Sequence, residues 1–213
     1  MNLRLYITIC FFNVVYLINA QNKSYEPELN KNIVLLSKSK SQQDFKQVAA
    51  NFEKIVKQEK HDWLCFYYAG LSQVLTAFLS GNAEIDALCD KAELYAKKAD
   101  SLSKNNSEVY VLKSMLAAAR ILVNKKQRAQ KYGALSAKYA IEAIKLNENN
   151  PRAYLLKARN VVNTPEAFGG GKKKAIIVYE QALEKYNSFK CESNLHPNWG
   201  KQEAEKEYQI LKK

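Results

Sequence analysis

From residue 41 onward, apolar and small side chains recur at i, i+4, i+7 and i+10, a spacing that lines them along one stripe of a helix. The stripe appears four times: Phe45, Ala49, Phe52 and Ile55; Ala92, Ala96, Ala99 and Leu102; Ser136, Ala140, Ala143 and Leu146; and Ala175, Tyr179 and Ala182 with Lys185. The third members lie 47, 44 and 39 residues apart, within the range of helical-repeat arrays. Between these stripes stands a second helix type, in which an aromatic residue is followed one turn later by a small one: Phe66 to Gly70, Tyr110 to Ser114, Tyr154 to Ala158. A small side chain at that point lets a neighbouring helix approach closely.

The pattern predicts helices near 27–38, 41–58, 62–79, 84–104, 107–123, 126–147, 151–162, 172–187 and 197–212. Gly81-Asn82 and Asn105-Asn106 read as turns, and Pro151 restarts the chain at the first turn of a helix. No alternating apolar stretch of useful length competes, so no sheet is expected. One helical pair cannot bury its own apolar face, and stacked neighbours bury it for one another in a single elongated core. The last segment, "LHPNWGKQEAEKEYQILKK", is mostly charged but carries Trp199, Tyr208, Ile210 and Leu211. It reads as a capping helix with Trp199 packed at its start.

The alternation of aromatic-x3-small helices with Ala-x3-(Ala/Tyr)-x2-Ala helices resembles the tetratricopeptide repeat family. "AIKLNENNPRAY", Ala143 to Tyr154, looks like that family's second helix, proline turn and next first helix. The resemblance spans about residues 41 to 187, is strongest from Ser136 to Tyr186, and departs from the family's usual 34-residue spacing. It implies an all-α superhelix of stacked antiparallel hairpins closed by a C-terminal capping helix. It further implies a non-catalytic protein–protein interaction scaffold whose first helices line a groove for a peptide or protein partner. The family's groove positions match Arg152, Leu155, Arg159 and Asn163 in the last repeat, and Glu108, Val111 and Met115 in the one before. Arg159 and Asn163 are the expected polar contacts. The family's set of Lys and Asn residues that clamps a peptide's terminal carboxylate is not present as a set.

"MNLRLYITICFFNVVYLINA" has one basic residue, an apolar run from Leu5 to Ile18 and a small residue at its end, the layout of a secretory signal peptide cleaved after Ala20. The run is short for a bilayer span of about 20 residues, so no integral membrane anchor is expected after cleavage. The chain thus divides into a signal peptide at 1–20, a lead-in helix at 21–40, repeats at 41–187, and a loop with capping helix at 188–213. Together with the Asn- and Lys-rich composition, "FGGGKKKA" and "HPNWG" resemble small exported tetratricopeptide-like proteins of Bacteroidetes-type bacteria. That resemblance implies a periplasmic home, with secretion as the alternative.

The formal charge of +12 falls to +11 without the first 20 residues. Lysines are spread along the chain and no nucleic-acid-binding signature is present. An alternative role is therefore a basic adaptor for anionic envelope material such as lipopolysaccharide or an acidic polymer.

"NTPEAFGGGKKKA", Asn163 to Ala175, suggests a phosphate loop and fails as one. No strand precedes it, the earlier glycine is missing, and Lys173 stands where Ser or Thr should hold magnesium. It reads as a glycine turn between two helices, with Phe168 tucked back into the hairpin. Lys172, Lys173 and Lys174 beside free amides at a helix start could hold an anion. No cofactor is implied. His61 and His196 are 135 residues apart and no cysteine pair has ligand spacing, so no metal site is expected. Cys65 reads as a core thiol without a paired base, and its offset from Cys89 of about 15 Å at helical rise exceeds disulfide reach. Cys191 is the expected exposed thiol. The pairs Asp86 with Asp90 and Glu203 with Glu207, one helical turn apart, read as salt-bridge partners rather than as an acid and a base. An enzyme is not expected.

Overall fold

The structure, a computed structural model, describes residues 25–213; the expected signal peptide lies outside the described residues. The helices are α1 (Glu26–Lys38), α2 (Gln42–Gln58), α3 (Trp63–Phe78), α4 (Asn82–Leu102), α5 (Ser107–Ile121), α6 (Lys125–Leu146), α7 (Pro151–Asn163), α8 (Lys172–Ser188) and α9 (Lys201–Lys212), with a 3-10 turn at Glu166–Phe168. No strand occurs among the described residues. Each predicted helix boundary falls within about two residues of the observed one except the start of the last. That helix begins at Lys201 because Gly200 turns the chain at φ 103°.

Five of the nine described helix starts carry side-chain caps. Asp62, Asn106 and Asn150 each accept a hydrogen bond from the backbone N–H two residues on, at 2.9, 2.9 and 3.0 Å. They open α3, α5 and α7 and stand 44 residues apart, a regular period that the apolar stripes only approximate. Ser41 and Asp44 form a reciprocal capping box at α2.

Successive helices pack as antiparallel neighbours, and the odd-numbered ones also pack on each other, α1 on α3, α3 on α5 and α5 on α7. Thirteen of the 16 residues of α3 are buried, which marks it as the central helix. The small residues do what their spacing suggested. Gly70 brings α3 against the Ala92 carbonyl of α4, and the Ser114 hydroxyl of α5 donates to the Ser136 carbonyl of α6 at 2.9 Å. Burial pushes the Cys65 thiol well up and the Cys89 thiol up to about 11, and both cysteines are free in the core.

The arm between α8 and α9 folds back over the centre of the array. Tyr68 donates its hydroxyl to the Leu195 carbonyl at 2.9 Å, and the Trp199 indole N–H donates to the Tyr67 hydroxyl at 3.0 Å. The far end of the chain is thereby fastened to the central helix, and α9 closes α7 and α8.

Candidate functional site

The residues expected to line a partner groove are placed largely inside the fold. Arg152 is 1% exposed, and its Nε and Nη2 donate to the Glu108 carboxylate at 2.9 and 2.7 Å. Val111, Met115 and Leu155 are core residues. Arg159 donates to Glu207 of α9 at 3.0 and 2.7 Å, and the Tyr179 hydroxyl adds a third bond to the same carboxylate at 2.7 Å. Asn163 is exposed and donates to the Arg159 carbonyl at 2.7 Å. The fold thus brings Glu108 to Arg152 and Asn163 to Arg159. It spends the charged groups on one another, because α5 and α9 cover α7 where an open groove was expected.

An open apolar groove lies elsewhere, between α6 and α7. Its floor is Ala137 and Ile141 from α6 with Val161 from α7, and its wall is the α7–α8 turn, where Phe168, Gly169 and Gly170 follow Thr164. The volume is about 190 Å³. Ile141 is 46% and Phe168 81% exposed. The Phe168 ring does not tuck into the hairpin as expected. Gly170 N–H bonds the Pro165 carbonyl and Gly171 N–H bonds the Val161 carbonyl, and this backbone closure fills the space. A Cβ at Gly170 would overlap the Thr164 carbonyl, so only glycine permits the turn that thrusts the ring outward.

Polar groups edge this apolar surface. Asn160 and Lys157 line it, and the Asn160 Nδ2 is buried without a hydrogen-bond partner. Such an orphan donor costs about 1–3 kcal/mol until something accepts from it. Lys172, Lys173 and Lys174 are exposed in the first turn of α8, and Lys174 donates to the Gly169 carbonyl at 3.2 Å, on the groove's wall. The helix start behind them has no side-chain cap. The groove therefore offers an apolar face with Lys157 on its lining and Lys174 on its wall, a combination suited to an amphiphilic anion.

Sequence reasoning missed Ile141 and Phe168. The signal was present as apolar residues out of phase with the core stripe: Ile141 follows Ala140 on the outward side of α6, and Phe168 stands between Pro165 and three glycines.

A larger cavity of about 780 Å³ opens at the ends of the hairpins, between the α4–α5 turn, the α6–α7 turn and the arm after α8. Amides, hydroxyls and charged groups dominate its lining. A large apolar ligand there would strip water from those groups without replacing their hydrogen bonds. Glu108 and Arg152 lie on it; Arg159, Asn163 and Met115 do not.

No protein-family model matches the sequence, and no curated protein matches it. Among solved structures, the HusA haemophore from Porphyromonas gingivalis is similar, with a TM-score of 0.81 and 35% identity over 90% of this chain and 94% of that one.

Proposed function

The chain belongs to the family of the HusA haemophore, and on that premise we propose that it is a non-catalytic carrier that binds haem or a related porphyrin in the groove between α6 and α7. The family relation supplies the ligand class. The observation that carries the location is the exposed apolar pair Ile141 and Phe168 beside Lys157 and Lys174.

A porphyrin is a flat apolar ring with carboxylates at one edge. Burying part of one face against Ile141, Val161 and Phe168 contributes about 25 cal/mol per Å² removed from water. Lys157 and Lys174 would meet the carboxylates. The groove is smaller than the roughly 300–1,000 Å³ of a site that encloses its ligand, so the porphyrin stands partly out of the surface. That suits a carrier, whose cargo must be reachable by the next acceptor. Haem here is cargo, not a resident cofactor. The groove's lining has no His, Cys, Met or Tyr to bind iron, so recognition rests on the ring and its carboxylates.

A peptide scaffold draws less support, since Arg152, Glu108 and Arg159 are already paired and Met115 is buried. No helix among the described residues is long and apolar enough to cross a membrane, and export through the segment at 1–20 would place the carrier outside the cytoplasm.

The test is a haemin titration followed by the change in haem absorbance. Phe168→Ala and Ile141→Ser are expected to weaken binding about tenfold each, the effect of losing 1–2 kcal/mol of apolar contact, with helical content unchanged. Wild-type affinity in both variants would remove the groove from consideration.

A further inference from the structure

We propose that the cavity at the hairpin ends is a second ligand site and that it takes a neutral saccharide. The inference does not rest on the porphyrin reading, which concerns the other groove.

The cavity's electrostatics are mixed by construction. The N-termini of α3, α5 and α7 reach it at Trp63, Ser107 and Arg152, and the C-terminal ends of α4, α6 and α8 reach it at Ser103, Leu146 and Ser188. Positive and negative helix ends alternate around one space, so their dipoles favour neither ion sign. The charged side chains are balanced as well. Arg152 faces Glu108, and on the arm Glu192 lies 3.0 Å from the His196 ring nitrogen with Lys190 on the same lining. What remains is a dense set of amides and hydroxyls, which both donate and accept hydrogen bonds. A sugar hydroxyl does the same.

Two features go beyond a generally polar surface. Arg152 is 1% exposed and lines the cavity, yet its Nη1 is buried with no partner, while Nε and Nη2 are held by Glu108. With its charge already matched, that nitrogen calls for a neutral oxygen rather than a second anion. Beside it, the Phe189 ring lies under the guanidinium at 4.6 Å, and Trp63 is half-buried on the same cavity wall. Aromatic side chains next to amides, beside a buried guanidinium nitrogen that still lacks an acceptor, suit a pyranose, which presents C–H groups on its face and hydroxyls around its edge. The volume of about 780 Å³ has room for a small oligosaccharide.

The experiment uses the chain from Gln21 onward, labelled for amide NMR. It is titrated with glucose, galactose, mannose, N-acetylglucosamine and lactose, and separately with acetate, phosphate and glycylglycine. At least one saccharide is expected to give saturable shifts at Trp63, Asn105 to Glu108, Leu146 to Asn150 and Ser188 to Pro197. Phe189→Ala is expected to weaken that binding about tenfold and leave the haemin titration unchanged. Arg152→Lys, which keeps a charge for Glu108 and deletes Nη1, should weaken it by a similar factor. Asn105→Gly removes one amide while tolerating that residue's φ of 55°, and keeps the test open should the Arg152 variant not fold. Absence of saturable shifts with every saccharide overturns the proposal. So does saccharide binding indifferent to Phe189→Ala and Asn105→Gly, or saturation of the same amides by an anion or the dipeptide alone.

Discussion

Arg152 and Arg159 sit two turns apart on α7 and look alike in the sequence, yet their surroundings separate them. Arg152 and Glu108 have side chains 2% and 12% exposed, whereas Arg159 and Glu207 are about one-third exposed. Removing one partner of a buried pair strands the other charge, so Arg152→Ala is expected to cost about 3–5 kcal/mol in urea denaturation. Replacing both residues by apolar ones of similar volume should recover much of that loss. A stability change under about 1 kcal/mol for Arg152→Ala would show that the pair is not buried as described. The sequence placed both arginines on a partner groove and marked Arg159 as a polar contact. It could not show what they contact, because each carboxylate lies more than 40 residues away in the chain.

At the scale of elements, the sequence was most informative where the determinants are local. Asp62, Asn106 and Asn150 cap helices by bonding two residues ahead, and the apolar stripes have helical periodicity, so helix number and order were readable. The arm from Phe189 to Gly200 was not, because its position depends on Tyr68 and Tyr67 in the distant central helix. The glycine turn was half-readable. Its reversal was expected, but the outward Phe168 follows from the close backbone contact at Gly170. Gly170→Ala is expected to destabilise the protein by about 1–3 kcal/mol through overpacking and to weaken haemin binding as the turn shifts. Unchanged thermal unfolding would contradict that contact.

The docking of α9 should also depend on pH. Burial alone would raise the Glu207 carboxyl, but the hydrogen bonds and charge of Arg159, with the Tyr179 hydroxyl, hold it below its ordinary value of 4.5. A depressed carboxyl stabilises the fold fully above its unfolded pKa, and that contribution is lost as pH falls through the folded value. Hydrogen exchange at α9 amides should therefore accelerate as pH drops below 4.5, relative to the intrinsic rate, and Glu207→Gln should abolish this dependence. Equal behaviour of the variant and wild type would place the acid sensitivity elsewhere.

For the whole molecule, stacking hairpins at a 44-residue interval builds a main core and a smaller one between α7, α8 and α9, with Trp199 packed against both where a single core was expected, and leaves two kinds of concavity. The ends of the hairpins gather turns, caps and charges into a polar cavity, and the space between α6 and α7 becomes an apolar groove. The all-helical superhelix was legible because every stripe demanded a neighbour. The groove was not, since Ile141, Val161 and Phe168 come from three separate segments, and Phe168 reads in the sequence as a ring tucked into its own hairpin. Its lack of iron-binding side chains gives the central claim a sharp form. Mapping amide shifts on addition of iron-free protoporphyrin tests it most directly. The account predicts saturable binding with perturbations concentrated at Ala137 to Ile141 and Lys157 to Gly170. Binding that requires iron, or perturbations gathered around Trp63, Phe189 and His196 instead, would contradict it.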